Sequence, residues 1–363
     1  MPDELVFGLE RELFLGQKIF ENESANIFSK FWVCIGRIED VRQSGKDCYR
    51  QFEVDQYSIV VVARADGSIS AFHNICRHRG TRLLDNSAGD LSNSCMTCPY
   101  HAWTYDLNGN LIGAPNMAEV ESFDRKEFGL QRVNCVNWCG FLLVNLGDAG
   151  ADFEKDFAPL IERLADWELD KRILVKTLGY QVAANWKLLF QNYSECYHCP
   201  TVHPNLNRLT PYKSATNDLS EGPILGGPME LSDGVQTVSL DGNAIGTVFS
   251  GLSAQQQRSV YYYTVFPNLF VSAHPDYVMV HRIERISNRE SHVDCHFFVA
   301  DKDAEIERAS DQWDEVNQQD WRVCELTQKG INSPAYIPGP YSNLESMLVA
   351  FDRFYRRCMA QPV

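Results

Sequence analysis

Cys76 and His78 stand one residue apart and Cys98 and His101 two apart, so the chain carries two short arms that each mix a thiol with an imidazole. That mixture suits a 2Fe-2S cluster in which two Cys hold one iron and two His hold the other, which is a one-electron store. The competing reading is a zinc ribbon, but zinc sites more often space their ligands Cys-x2–4-Cys and His-x3–5-His. A second group follows as ExxHxxxxH: Glu195, His198 and His203. Two imidazoles need one carboxylate to complete the facial triad of a mononuclear non-haem Fe(II) site, which leaves coordination positions open for dioxygen. An electron store followed by an oxygen site points to oxidation by O2.

The spacing around the second group predicts its local structure. Asn192, Glu195 and His198 recur every three residues and would share one face of a helix expected over 184–199. His203 cannot use that face. Pro200 disfavours helical geometry at Cys199 and interrupts the backbone ladder, so the chain can turn and return His203 to the same metal. Cys95 and Cys98 also form CMTC, a possible redox dithiol. Cys98 is claimed by the CPYH arm, which leaves Cys95 a bystander.

The elements that must position these residues fall into two halves. From Phe31 to Gly147, short apolar runs alternate with turn signals: Tyr57–Ala63, the turn at Asp66–Gly67, the NG turn at Asn108–Gly109, and Gly140–Leu146. These are hairpin patterns, and they predict a small antiparallel β domain. The GDAG cluster at Gly147–Gly150 marks the boundary. A helix is expected over 153–167 and a strand over 175–182, then strands at 259–266, 269–286 and 292–300 and helices at about 304–329 and 343–357. His73, His274, His281, His292 and His296 lie on strand-like segments and read as structural.

Composition narrows the function. The chain has 363 residues, 44% of them hydrophobic, and a formal charge of −15. That charge disfavours nucleic acids and anionic membrane surfaces, whose attraction comes from Lys and Arg. The acidic N-terminus lacks the basic and apolar pattern of a secretory signal, so a cytoplasmic protein is expected. In that setting the twelve cysteines read as metal ligands or buried fillers rather than disulfides. No GxGxxG or P-loop pattern offers a place for a nicotinamide or flavin, so electrons must come from another protein.

The arms CRHRGTR and CPYHAW resemble the two cluster loops of the Rieske ferredoxin family and its three-sheet fold. NWKLLFQNYSECYHCPTVHP resembles the iron helix of Rieske non-haem iron oxygenase α subunits. The resemblance covers essentially the whole chain and implies an α+β protein. An N-terminal helical segment (1–30) would pack on the catalytic domain, with an all-β Rieske domain at 31–150. A helix-grip catalytic domain with an antiparallel sheet would span 151–363. It implies a 2Fe-2S cluster on Cys76, His78, Cys98 and His101, and mononuclear Fe(II) on His198, His203 and a late-helix Asp. Asp320 is the best candidate, with Asp314 and Asp352 as rivals. Asn192 would orient the site. Glu195 would bridge His101 of a neighbouring copy to an iron-bound His in a head-to-tail homotrimer, fed by a flavin and iron–sulfur reductase.

The ECYHC pattern resembles the branch holding choline and glycine-betaine monooxygenases, which implies hydroxylation beside nitrogen in a quaternary ammonium or N-methyl compound. Ring hydroxylation of an aromatic or heterocyclic substrate, by mono- or dioxygenation, is the alternative, and a Rieske electron carrier or zinc-stabilised module a distant third. Aromatic faces attract an alkylammonium by about 0.5–2 kcal/mol each. Along Tyr261–Phe266 the side chains alternate, so Tyr261 and Tyr263 share one face and Tyr262 and Phe266 the other. Tyr193, Tyr261, Tyr263 and Phe266 are the expected substrate contacts.

Overall fold

A computed structural model describes residues 5–91, 93–147 and 151–360. The expected turn at GDAG falls partly on 148–150, outside the described residues. The chain forms two compact units: Phe28–Phe153, and the stretch up to Ile27 together with the chain from Glu154 onward.

The Phe28–Phe153 unit is built from hairpins. Its larger sheet has seven strands in the order Val33–Arg37, Phe141–Asn145, Arg132–Trp138, Ile69–His73, Tyr57–Ala63, Cys48–Val54, Ala88–Asp90. Of the three sheets the resemblance implies, two are joined edge to edge by pairing of Ala71 with Val133 and of Phe72 with Arg132. A three-stranded sheet, Cys95–Thr97, Thr104–Asp106 and Leu111–Gly113, carries the second cluster arm on its first hairpin. Its other hairpin turns at Asn108–Gly109, where Gly109 has φ +80° and the Asp106 carboxylate accepts from the backbone N–H of Asn108 and Asn110. A side chain at Gly109 would run into the Phe72 ring, so glycine meets both the conformational and the steric demand there.

In the other unit six antiparallel strands follow the order Ile173–Val182, Glu290–Val299, Tyr277–Ser287, Leu269–Ala273, Ser259–Val265, Ile224–Glu230. The helix Ile306–Asn332 lays Ala309, Trp313 and Val316 into one apolar cluster with Tyr277, Met279, Cys295, Phe297 and Val299 of the sheet. This is the helix-grip arrangement, a helix packed on an antiparallel sheet, and the helix carries Asp320. The single strand expected over 269–286 is two strands joined by a tight hairpin. In that turn Asp276 Oδ2 accepts the Ile245 N–H at 2.7 Å and His274 stacks on Tyr277 with ring centroids 4.0 Å apart.

The N-terminal stretch is tied to this unit by a buried charge cluster. Glu23, at the end of the helix Gln17–Glu23, is 0% exposed. Its carboxylate accepts from Trp186 Nε1 at 3.0 Å, Arg285 Nη1 at 3.0 Å and the Tyr355 hydroxyl at 2.7 Å, and it pairs with Lys187. Burial works against the Lys187 charge and lowers its pKa, while attraction to Glu23 opposes that shift. Among the described residues no helix is long and apolar enough to cross a membrane.

Candidate active site

The motif NWK starts the helix Trp186–Tyr193. The Asn185 side chain caps it by accepting the Lys187 N–H at 3.0 Å, and donates from Nδ2 to the carbonyls of Phe14 and Asn288. Trp186 and Lys187 then lock the first turn to Glu23. The helix was expected to run to Cys199; it stops at Tyr193. Glu195 and His198 therefore do not share a helix face with Asn192. Glu195 builds a turn instead: Oε2 accepts the backbone N–H of Tyr197 and His198, and Oε1 lies 2.5 Å from His198 Nδ1. Pro200 is not a terminator. It occupies the first turn of the short helix Cys199–Val202, where a missing N–H costs nothing.

Cys196 and Cys199 form a disulfide, with Cα atoms 5.0 Å apart, and so close a small ring around His198. This corrects the expectation that none of the cysteines is bridged. Cys76, Cys95 and Cys98 remain thiols, so CMTC is not a disulfide.

Three side chains converge. His198 Nε2 and His203 Nε2 lie 3.3 and 2.8 Å from Asp320 Oδ1, and one ligand atom from each residue falls within 4.8 Å of the others. Donors bound at roughly 2.1 Å to one ion stand roughly 3 Å apart, so the trio fits a divalent metal. The far nitrogen of each ring is also held: His198 Nδ1 by Glu195, and His203 Nδ1 by Gln319 Oε1 at 2.6 Å. Such anchors fix the tautomer and aim Nε2 at the metal. Gln319 was not foreseen, although it directly precedes Asp320.

The rival carboxylates are committed elsewhere. Asp314 accepts from the Tyr180 hydroxyl at 2.7 Å, and Asp352 from Gln191 at 2.9 Å and Tyr341 at 2.7 Å.

Electrostatics agree with ligation. Burial opposes ionisation of Asp320, but hydrogen bonds from His198 and His203 hold its pKa down at about 2. Burial likewise opposes charging of His198, and the two carboxylates Asp320 and Glu195 overcome it and raise the pKa to about 10. Metal uptake must then expel the proton on that ring.

The trio opens into a cavity of about 110 Å³ lined by Asn192, Tyr193, Glu195, Tyr262, Thr264, Trp313 and Met347, among others. Among the described lining residues there is no Lys or Arg. Of the four expected substrate contacts, only Tyr193 faces this space. The alternation along Ser259–Val265 holds, but the face that meets the cavity is that of Tyr262 and not that of Tyr261 and Tyr263. Tyr262 and Thr264 point inward, whereas Tyr261 packs against Trp167 with centroids 5.0 Å apart and Tyr263 donates its hydroxyl to Asp218 at 3.2 Å. Phe266 lies past the strand end, packed on Trp186 and Phe354. Gly226 and Gly227 also line the cavity. Gly226 sits at φ +140°, and a Cβ there would strike the Tyr262 carbonyl oxygen, so the strand Ile224–Glu230 can approach only as glycine.

In the Phe28–Phe153 unit, Cys76 and Cys98 are buried while His78 and His101 are exposed, their ring centroids 4.7 Å apart. His78 stacks on Trp103 at 4.8 Å, and Cys76 Sγ lies 3.4 Å from the Tyr105 hydroxyl. Two buried thiols beneath two outward imidazoles are the donor set of a 2Fe-2S cluster with a histidine-ligated outer iron.

Comparisons with known proteins agree. Residues 31–124 match the Rieske [2Fe-2S] domain, and residues 161–361 match the ring hydroxylating alpha subunit catalytic domain. The chain is 30% identical to the glycine betaine monooxygenase oxygenase subunit of Chromohalobacter salexigens, over 92% of this chain and 82% of that protein. A structure of the quaternary ammonium Rieske monooxygenase CntA in complex with an inhibitor superposes with a TM-score of 0.75 at 20% identity, covering 98% of this chain and 96% of that one. Naphthalene 1,2-dioxygenase from Rhodococcus sp. is similar in fold too, with a TM-score of 0.73 at 18% identity over 98% and 95%. Fold likeness therefore does not select between alkylammonium and aromatic substrates; the pocket lining must.

Proposed function

The chain belongs to the ring-hydroxylating oxygenase α subunits, with a Rieske [2Fe-2S] domain ahead of its catalytic domain, and from that premise we propose that it hydroxylates a C–H bond beside nitrogen in a quaternary ammonium or N-methyl compound. It is the oxygenase subunit of an O2-dependent oxidoreductase and works with a separate reductase. The observation that carries the substrate reading is the lining: three aromatic faces, Tyr193, Tyr262 and Trp313, two carboxylates, Glu195 and Asp320, and no described cationic side chain. A permanently methylated cation has no N–H to donate, so π faces and nearby negative charge are what hold it.

Cys76, Cys98, His78 and His101 would hold the cluster, and His198, His203 and Asp320 the iron. When bound, the cluster supplies single electrons and the ferrous iron an open position for dioxygen. The chain's own residues do the positioning. Glu195 and Gln319 fix the two imidazoles, hydrogen bonds from His198 and His203 keep Asp320 ionised, and the aromatic faces orient the cation beside the metal trio. The exposure of His78 and His101 places the histidine side of the cluster site at the surface, which supports electron exchange with another molecule. On that ground Glu195 is assigned as the link between His101 of a neighbouring copy and His198, in a head-to-tail homotrimer. Heterologous contacts of that kind must close into a ring. A reductase carrying flavin and an iron–sulfur centre is the partner this arrangement requires.

The test is coupled O2 uptake by the iron-loaded protein with a surrogate reductase and NADH, using choline, glycine betaine, carnitine and neutral aromatic acids. Product formed only from methylated ammonium compounds is the expected result. Turnover confined to the aromatic acids would replace this reading with ring hydroxylation.

A further inference from the structure

The metal-side cavity shares two lining residues, Asn217 and Met347, with a second and larger cavity of about 830 Å³. The charged residues of that outer cavity are Arg353, Arg356, Arg357 and Glu221, with Ser220 and Ser346 as its hydroxyls. The three arginines follow the spacing i, i+3, i+4 on the helix Ser346–Met359, so they project from one side of it, while Phe351, Asp352, Tyr355 and Cys358 bury the other. Arg356 is paired with Glu10 at 2.8 Å, and Arg357 lies over the Phe354 ring at 5.6 Å. Arg353 has no hydrogen-bond or ion-pair partner among the described residues. In a chain of formal charge −15, three cations around one cavity run against the overall field.

The inner and outer cavities thus carry opposite chemistry: π faces and carboxylates inside, guanidinium groups outside. An ammonium alcohol would use only the inner half. A substrate that carries both a quaternary ammonium and a carboxylate uses both, because its anion would otherwise sit against Glu195 and Asp320. Building on the quaternary ammonium reading above, we propose that the outer cavity is a carboxylate-binding mouth centred on Arg353, and that this chain selects zwitterionic betaines over uncharged-tail ammonium alcohols. Guanidinium suits the task because its planar fork can grip a carboxylate through two hydrogen bonds. Glu221, which also lines the cavity, would repel the anion and leave the arginines as its partners.

The experiment measures kcat/KM, and binding by calorimetry to the iron-loaded protein, for choline and for trimethylammonium carboxylates of increasing chain length. The ratio of carboxylate to choline kcat/KM is expected to exceed one and to fall about fivefold in Arg353→Gln, the size of one solvent-accessible ion pair, through KM rather than kcat. Arg353→Lys should recover part of that ratio and Arg353→Glu should lower it further. Salt should raise KM for the carboxylates, because the capturing charges are exposed. An unchanged ratio in Arg353→Gln and Arg353→Glu, with choline still turned over, overturns this inference and leaves the ammonium reading intact. Failure to turn over any quaternary ammonium overturns that reading and this inference with it.

Discussion

His203 Nε2 and Asp320 Oδ1 meet at 2.8 Å although 117 residues separate them in the chain. His198 Nε2 joins them at 3.3 Å from the same oxygen. One carboxylate oxygen is therefore shared by two rings, each restrained behind by a different residue.

That restraint is measurable. His203→Ala and Asp320→Ala should each lose mononuclear iron and product formation while retaining the visible spectrum of the cluster, which Cys98→Ala should bleach. Gln319→Leu removes the hydrogen bond at His203 Nδ1, together with an exposed one that Gln319 Nε2 donates to Glu315, and leaves every ligand in place. Its iron affinity is expected to fall about 10–100-fold with the ligands intact. Titration of apo-protein with Fe(II) under anaerobic conditions reads this directly, and unaltered affinity in Gln319→Leu would mean the anchor is idle.

Glu195→Ala should keep the cluster and weaken iron binding as Gln319→Leu does, because it removes the anchor at His198 Nδ1, and once loaded at saturating Fe(II) it should still slow delivery of electrons. Single-turnover decay of the reduced cluster, followed optically after O2 and substrate are added, isolates that step. Mixed assemblies of Cys98→Ala and His203→Ala copies should regain activity if electrons cross between chains. Verified mixed assemblies that stay inactive would place transfer within one chain.

The parity of the strand Ser259–Val265 separates two tyrosines that composition treats alike. Tyr262→Leu should weaken binding of a methylated ammonium by about 1 kcal/mol, several-fold in Kd, and leave a neutral carbon isostere little changed. Tyr261→Leu, on the far face, should leave the cation affinity in place. Calorimetry on the two variants, run side by side, decides between them.

Asp352 carries a pH signature. Burial raises its pKa from the ordinary 3.8 to about 6, with hydrogen bonds from Tyr341 and Gln191 opposing the rise. Between those values the folded chain holds more protons than the unfolded one, so this group's contribution to stability falls as pH rises through that window. Above it, the buried charge costs at most about 3 kcal/mol. The Tm of Asp352→Asn relative to the parent should therefore increase from pH 4 to pH 6.5 and then level off. A difference that is flat with pH would show that Asp352 titrates normally.

The cluster around Glu23 predicts a stability effect with no chemical role. Glu23→Ala would strand Lys187 and Arg285 in the interior, a loss of about 3–5 kcal/mol. Urea unfolding should show a lower midpoint, and a variant as stable as the parent would mean that water reaches the cavity.

Local chemistry was legible in the chain. Ligands that sit within one hairpin or one turn are brought together by a few backbone dihedrals, so Cys76/His78, Cys98/His101 and His198/His203 could be paired from spacing alone. The hairpins at Asn108–Gly109 and Asp66–Gly67 were visible for the same reason, since glycine there supplies positive φ. Decisions made between distant segments were not. Periodicity puts Tyr261 and Tyr262 on opposite faces, but which face meets the cavity depends on which side of the sheet packs on the helix Ile306–Asn332. The choice of Asp320 over Asp314 rests on which turn of that helix lies opposite His203, and Asp352 stands on another helix, held by Gln191 and Tyr341. Gln319, Trp313 and the Glu23 cluster join the site or its supports only through packing across the domain. Even the local reading of 184–199 failed where side chains competed with the backbone: Glu195 takes the N–H groups of Tyr197 and His198, and the helix ends before them.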